Sequence, residues 1–466
     1  MIKINRSLTA KNLRPKLEIL FDLSGRKILA LHHSWDPAKG TPVFTAGGRY
    51  TSRGWTEWTQ GFQFGSAVLQ FDATGGKTFL DIGRRNTVER MATHVSHFGV
   101  HDHGFNNIST YGNLLRLMRE ERTPFNKWEK DFYELALKIS GAVQAARWTG
   151  IHPASRTRLP QAGATRERGF IHTFNGPHSL FADTIRSLRA LAAAHQLGHA
   201  LMGEGDRRIS LLARLVEHAD TTATFNVYYG EGRDAYDTRG RVAHESIFNI
   251  TDGHYRCPNS QQGYSPFSTW TRGLAWILCG CAEQLEFFRT LPTAELKPFG
   301  GRKAVAGMWL EAAEATADFY ITNTPSDGVP YWDTGAPGLA ELGDYLGRPA
   351  DPFNDHEPVD SSAAAIAAQG FLRLGKYLGG SAGKRYFQTG LTIADTLFAE
   401  PYLSTKPDHQ GLLLHSIYHR PNGWDHVPRG SKIPRGESSM WGDYHARELA
   451  LLLWREAKDL PYLKFF

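Results

Sequence analysis

The sequence predicts an all-α protein folded as an α/α toroid, a ring of paired helices with its long loops gathered at one rim. Two observations predict it. Helical periodicity recurs along the 466 residues, whereas clear strand alternation is scarce. The helices are joined by alternately short and long connections. The long ones (146–179, 225–268, 325–359 and 400–438) are rich in Gly, Pro and aromatic residues. Loops of this length inside a compact domain are usually functional, so they are expected to form a cleft.

Helices are predicted over 59–72, 107–120, 129–147, 180–202, 208–219, 270–289, 303–323, 361–377, 384–398 and 440–457. In 180–202, Phe181, Ile185, Leu188 and Ala192 keep the i, i+4, i+7, i+11 spacing of one buried face. No low-complexity linker divides the chain, which reads as one domain. A split near 150–178 is the alternative, because that stretch is helix-poor and carries Arg156, Arg158, Arg166 and Arg168.

Composition removes several function classes. Hydrophobic residues make up 41% and the net charge is only +6, which excludes a disordered chain. That small surplus contains no run of five basic residues, so nucleic acid is not an expected partner. Cys257, Cys279 and Cys281 form neither a disulfide framework nor a CxxC zinc site. No uncharged apolar stretch reaches 18 residues and no signal-peptide pattern opens the chain, so the expectation is a soluble, cytoplasmic protein with no membrane contact. Twelve Trp and 17 Tyr are more amphipathic rings than a core requires, and enzymes that stack sugars often carry such an excess.

Four places carry candidate chemistry. Asp102 lies in VHDHGF (100–105) between His101 and His103, as an acid, base or sugar ligand, or as a helix-start residue accepting backbone N–H bonds. His97, His101 and His103 are close enough in sequence to consider a metal, but no distant carboxylate completes a set. Asp183 lies in SLFADTIRSLRALAAAH, with the small residues Ser187, Ala190 and Ala194 on its expected face. This suits either a cavity lining, with a raised carboxyl pKa, or a first-turn Asp that favours the helix dipole. The segment 261–280 combines Gln262, Trp270, Arg272 and Trp276. Arg272 either clamps a ligand carboxylate or pairs with an internal Asp, and the tryptophans either stack a sugar or fill the core. His218, late in a helix, faces the cleft or favours that helix's C-terminus.

Taken together and in this order, WTQGFQFG (58–65), VHDHGF (100–105), SLFADTIRSLRALA (179–192), EHADTTATF (217–225), QQGYSPFSTWTRGLAW (261–276), VPYWDTGAP (329–337), VDSSAAAIAA (359–368), GLLLHSIYHRP (411–421) and SMWGDYHARELA (439–450) resemble the unsaturated glucuronyl hydrolases of glycoside hydrolase family 88. The unsaturated rhamnogalacturonyl hydrolases of family 105 are more distant relatives. The resemblance implies an (α/α)6 barrel, with 1–50 as an N-terminal extension and first helix packed on the barrel and 51–466 as the catalytic domain. It implies Asp183 as the general acid/base and Asp102 as the second active-site aspartate. His218, Gln262, Arg272 and Trp276 fall on pocket positions, and Trp58 and Trp270 on stacking or wall positions. No metal or organic cofactor is implied. The stretch between the two aspartates is longer than is typical, which marks 152–176 as an insertion; a plus-subsite for sulfate or a second uronate is weighed against a solvated basic loop.

The substrate implied is an oligosaccharide with a 4,5-unsaturated uronic acid at its non-reducing end. Protonation of its vinyl ether at C4 and addition of water at C5 yield a hemiketal that opens and releases the saccharide. Asp183 is expected to start this cycle protonated, its pKa raised by burial and by Asp102. The alternatives are an inverting glycosidase, a sugar epimerase using His218 or His415, and a non-catalytic carbohydrate-binding barrel. A monomer or a homodimer is expected.

Overall fold

The computed structural model describes residues 1–54, 58–160 and 166–465 fully, with only the backbone of Glu57. Among the described residues, twelve helices build the ring. In chain order they are α1 (Arg14–Ser34), α2 (Gln60–Thr74), α3 (Lys77–Arg90), α4 (His103–Asn107, continued through a π turn into Asn113–Arg119), α5 (Lys127–Ala146) and α6 (Thr184–Ser187 and Arg189–Gln196). There follow α7 (Leu211–Phe225), α8 (Thr271–Thr290), α9 (Gly301–Thr322), α10 (Ser361–Leu378), α11 (Gly380–Leu397) and α12 (Met440–Ala457).

The even-numbered helices close the inner ring. Each packs on the next, α2 on α4, α4 on α6, α6 on α8, α8 on α10 and α10 on α12, and α12 returns to α2. The odd-numbered helices form an outer layer, α1 lying against α12 and α2. The segment 1–50, expected as an extension with one packed helix, thus supplies an outer helix of this ring and the hairpin Pro42–Ala46/Arg49–Ser52. The fold is the α/α barrel that the periodicity predicted.

Two expectations about helices change. α3 was not foreseen, because KTFLDIGRRNTVER is polar on most faces and buries only a short stripe including Leu80 and Ile82. The predicted helix 180–202 starts later. Ser179–Phe181 is a strand, paired with Glu245–Phe248, and the helix runs only from Thr184 to Gln196 with a break at Leu188. Asp183 therefore precedes the helix instead of lying inside it.

The inner helices start at one rim, and their caps show how the sequence stops and starts them. Asp360 accepts from the Ser362 and Ala363 N–H groups to begin α10, and the Ser439 side chain accepts from Gly442 N–H to begin α12. Small residues let these helices approach closely. A Cβ on Gly370 of α10 would lie 2.9 Å from the Cys279 backbone of α8.

Charged residues, not only apolar ones, fill the barrel axis. Arg186 of α6 donates to Glu283 of α8 at 2.9 Å and to Glu448 of α12 at 2.8 Å, while Arg189 lies 3.5 and 3.6 Å from the same two carboxylates. All four side chains are fully buried, and Arg373 of α10 joins them near Glu283. Removing one partner from such a cluster leaves a buried charge unpaired, which costs far more than the cluster contributes net. Glu283→Ala is accordingly expected to destabilise the barrel by about 3–5 kcal/mol. Chemical denaturation followed by circular dichroism would measure it, and a cost below about 1 kcal/mol would show that the axis tolerates unpaired arginines.

Candidate active site

Both aspartates stand at the N-cap positions of inner helices, and neither side chain caps its helix. Each turns instead to the same histidine. His101 Nε2 lies 3.5 Å from Asp102 Oδ1 and 3.3 Å from Asp183 Oδ1, so one ring nitrogen serves both carboxylates. His101 is 1% exposed and each aspartate 8%, so the carboxyls retain a narrow opening onto the cleft.

Backbone contact between α4 and α6 makes this convergence possible. Gly104 follows Asp102 by two residues, and a Cβ there would lie 2.1 Å from the Ser187 carbonyl oxygen. Only glycine allows that approach. The Gly104 N–H donates to Ser187 Oγ at 2.9 Å, and Ser187 Oγ donates to the His101 carbonyl at 2.6 Å. Gln144 Nε2 of α5 donates to the same carbonyl at 2.7 Å and to Ser187 Oγ at 2.9 Å. The small residue seen in the sequence at the fourth position after Asp183 is thus the one that admits the neighbouring helix.

The electrostatics differ from expectation. Burial acts to raise both carboxyl pKa values. For Asp102 burial, helped by the charge of Asp183, prevails over the pull of His101, and the value goes up. For Asp183 the His101 hydrogen bond and charge, with His244 and Arg272, outweigh burial, and the value goes down. His101 loses from burial but gains more from Asp102 and Asp183, so its pKa is raised. The expected raised pKa of Asp183 is corrected: in the free site the proton belongs to the His101–Asp102 side of a coupled trio. The sequence argument failed because it weighed two carboxylates and left out the imidazole between them.

Two further imidazoles are neutral and each keeps one N–H. His218 Nδ1 accepts from the Ile171 N–H at 3.0 Å, and burial pushes its pKa down to about 3. His244 Nδ1 accepts from the Gln261 and Gln262 N–H groups at 2.9 and 3.3 Å, and burial, the largest influence on it, holds its pKa near 4. Nε2 of both rings is buried without a hydrogen-bond partner among the described residues. Buried donors in native proteins rarely stay unpaired, so two such N–H groups in the electrostatic reach of Asp183 are suited to a ligand oxygen.

The remaining predicted residues divide. Arg272 has no free fork. Its Nη1 donates to Asp360 Oδ2 at 2.8 Å and to the Ile417 carbonyl, and its Nη2 donates to Gln262 Oε1 at 2.9 Å and the Tyr418 carbonyl at 2.7 Å. The geometry is that of the internal Asp pairing, and the expected clamp on a ligand carboxylate is corrected to a brace that ties α8, α10, Gln262 and the 417–418 loop together. Trp270 covers this guanidinium, 4.6 Å from its centre, and meets His244 edge-on. Trp276 is 2% exposed between Phe105 and His445, a wall residue below the cleft. Trp58 alone of the three is half-buried, stacked on Trp441 at 5.2 Å, and has ring surface left to offer. His97, His101 and His103 do not converge: His103 bonds to Ser140 and the His97 carbonyl, and no metal-holding cluster occurs among the described residues.

The Arg-rich insertion is spent on the protein itself. Arg166 pairs with Glu217 and Asp220, Arg158 with Glu231 at 2.9 and 3.0 Å, and Arg156 with Glu231 at 3.2 Å. Arg168 donates to three backbone carbonyls, at Pro153, Ser155 and Arg156. The plus-subsite expectation is therefore withdrawn. Its balancing acids lie 50 to 75 residues away, beyond the reach of local charge counting. Residues 161–165 of this segment lie outside the described residues.

No protein-family model matches the sequence. Among curated proteins, the chain is 24% identical over 397 residues to the unsaturated glucuronyl hydrolase of Formosa agariphila, covering 84% of this chain and 78% of that one. It is 22% identical over 414 residues to the unsaturated chondroitin disaccharide hydrolase of Streptococcus agalactiae, covering 86% and 82%. The chain is thus similar to unsaturated glucuronyl hydrolases along most of its length. The solved unsaturated glucuronyl hydrolase of Streptococcus agalactiae superposes with a TM-score of 0.68 at 20% identity, over 98% of this chain and 94% of that one. At that identity the likeness of these hydrolases establishes the barrel, and the residues must carry the chemistry.

The Gly104–Ser187 contact tests whether the aspartate geometry matters. Gly104→Ala is expected to separate the starts of α4 and α6 and lower kcat by about 100-fold, because misplacement by an ångström has that effect. Steady-state kinetics on folded protein, checked by circular dichroism, would show it; an unchanged kcat would mean that the close approach serves packing alone.

Proposed function

We propose that the protein hydrolyses oligosaccharides ending in a 4,5-unsaturated uronic acid by hydrating the vinyl ether. The observation that carries this reading is that Asp102 and Asp183 both approach one nitrogen, His101 Nε2, Asp183 by a hydrogen bond at 3.3 Å and Asp102 by charge at 3.5 Å. Two oxygens at 3.5 and 3.3 Å from one nitrogen lie no farther apart than the short end of the roughly 6.5–9.5 Å that an inverting pair uses to hold a water between its carboxyls. Vinyl-ether hydration needs no such pair. One carboxylic acid gives its proton to C4, an oxocarbenium-like centre forms at C5, and the resulting carboxylate takes a proton from the water that adds there. The hemiketal then opens without further catalysis and the saccharide leaves.

Asp183 is the group assigned to this cycle. In the free site His101 holds it ionised, so a proton must reach it when substrate enters. The uronate carboxylate brings a negative charge and displaces water, both of which favour the protonated acid. His101, raised by its two neighbours and hydrogen-bonded to Asp183, is the source at hand. Asp102 keeps that proton in the trio until it is needed. The unpaired N–H groups of His218 and His244 would receive substrate oxygens, Gln262 is fixed beside them by Arg272, and Trp58 offers a ring face to a sugar.

An epimerase reading asks for a basic histidine. His218, its pKa pushed down to about 3 by burial, is too weak a base, and His415 accepts from Gly436 N–H with its ring between Phe353 and Tyr402, a structural place. No cofactor enters this scheme. Free Cys279 and Cys281, both buried, suit the reducing cytoplasm, where this proposal places the enzyme; no helix among the described residues is long and apolar enough to cross a membrane.

Two outcomes follow. Asp183→Asn is expected to lower kcat by about 10²–10⁴-fold with KM nearly unchanged, measured as loss of vinyl-ether absorbance; retention of more than about a tenth of the wild-type rate contradicts the assignment. Asp102→Asn removes a negative charge that stabilises protonated His101, so the trio gives up its proton more readily. The alkaline limb of the kcat–pH profile should move to lower pH as kcat falls, and an unmoved limb would show that Asp102 is uncoupled from the reaction.

A further inference from the structure

α5 is apolar on two opposite faces, and only one of them meets the barrel. Tyr133, Ala136, Leu137, Ser140, Gly141, Gln144 and Ala145 are buried inward. On the outside Trp128, Phe132, Leu135 and Ile139 follow one another at spacings of 4, 3 and 4 residues, Phe132 half-buried against Tyr111 and Tyr133, and Phe125 lies just before the helix. This is the seam pattern of a helix that pairs with another helix. Phe125 is 70% exposed, Trp128 64%, Leu135 55% and Ile139 37%, and the Trp128 ring stacks on Phe132 of its own helix. A surface helix of a globular protein ordinarily carries polar residues on its outer face. Scattered apolar residues need no explanation, but four exposed ones, Phe125, Trp128, Leu135 and Ile139, gathered around Phe132 mark an interaction surface.

The charges beside the ridge indicate what covers it. Asp131 and Lys138 lie on the same edge, seven residues and so about two turns apart. Were an identical helix laid antiparallel across the ridge, with Trp128 against the partner's Ile139 and Phe132 against the partner's Leu135, Asp131 would fall opposite the partner's Lys138. The two-fold axis repeats the pair in the other direction. Glu134, farther round the helix, is already neutralised by Lys130 at 2.9 Å, with Arg119 at 3.9 Å. Lys138 is in no ion pair among the described residues, and Asp131 is paired only with Lys127 of its own turn. A surface that is complementary to itself under a two-fold rotation is what an isologous dimer requires.

We propose that two copies of this chain associate through α5, antiparallel about a two-fold axis midway between Phe132 and Leu135, with Trp128, Phe132, Leu135 and Ile139 as the seam, Phe125 at its end and two Asp131–Lys138 pairs at its edge. The ridge is about 16 Å long from Trp128 to Ile139, which makes a small interface and a dissociation constant on the order of micromolar.

Sedimentation velocity on the full chain at roughly 1–100 μM tests it. The wild type is expected to pass from monomer to dimer over this range, and Leu135→Glu and Trp128→Glu to stay monomeric with wild-type turnover and circular dichroism. Asp131→Lys and Lys138→Asp should each weaken the dimer by about 3–10-fold, and the double variant should return it to within about twofold of wild type, because every edge pair is then reversed. A wild type that stays monomeric throughout overturns the proposal. So does a dimer indifferent to both Leu135→Glu and Trp128→Glu, or a double variant as weak as the two single changes combined, which would refute the antiparallel register.

Discussion

His101 Nε2 stands between Asp102 and Asp183, 3.5 and 3.3 Å from their carboxylate oxygens, and much of the molecule is arranged to keep those three groups together. The sharing requires the first turns of two inner helices to touch, which requires glycine at 104 and a small residue at 187. It also fixes the backbone of His101, whose carbonyl takes Ser187 Oγ and Gln144 Nε2. One turn beyond Asp183, Arg186 enters the charged cluster on the barrel axis and ties α6 to α8 and α12. Ring closure, helix approach and the acid–imidazole–acid contact therefore form one chain of constraints running from the axis to the cleft.

The same logic explains why the site is built from ionised and neutral groups held in fixed roles. Burial pushes the Asp183 pKa up and the His101 pKa down; the charge of Asp102 on His101 and the hydrogen bond between His101 and Asp183 reverse both directions. His218 and His244, whose Nδ1 atoms accept backbone N–H groups, remain neutral donors instead. Arg272 supplies positive charge from behind Gln262 without offering its own fork, since Asp360 and two loop carbonyls occupy it. Asp360 does this while capping α10, so one side chain starts an inner helix and anchors the brace.

Much of this was legible in the sequence. The alternation of short and long connections announced paired helices, and Asp102 and Asp183 could be picked out as carboxylates where a surface Asp would be out of place. Ser187 was visible as a small residue on the right face, although its helix starts later than the pattern implied. What escaped were facts of distance. His101 is adjacent to Asp102 in sequence, but nothing local says that it also reaches Asp183, 82 residues on. Arg272 read as a ligand clamp because Asp360 is 88 residues away. The four arginines of 152–176 looked unbalanced for the same reason, their acids lying on α7 and the loop after it. The outer ridge of α5 was hidden in a helix whose buried face already satisfied the amphipathic pattern.

The account stands or falls on where the proton goes. The most direct measurement is NMR of the product formed in D2O from a disaccharide with a 4,5-unsaturated uronate end, quenched early enough that later exchange beside the new carbonyl is negligible. Hydration with Asp183 as the donor predicts one deuterium at C4, delivered to a single face, appearing in step with saccharide release and with loss of the double bond. Saccharide release that leaves the double bond in place and C4 free of deuterium would contradict the account, because the bond would then have been cleaved at the anomeric carbon.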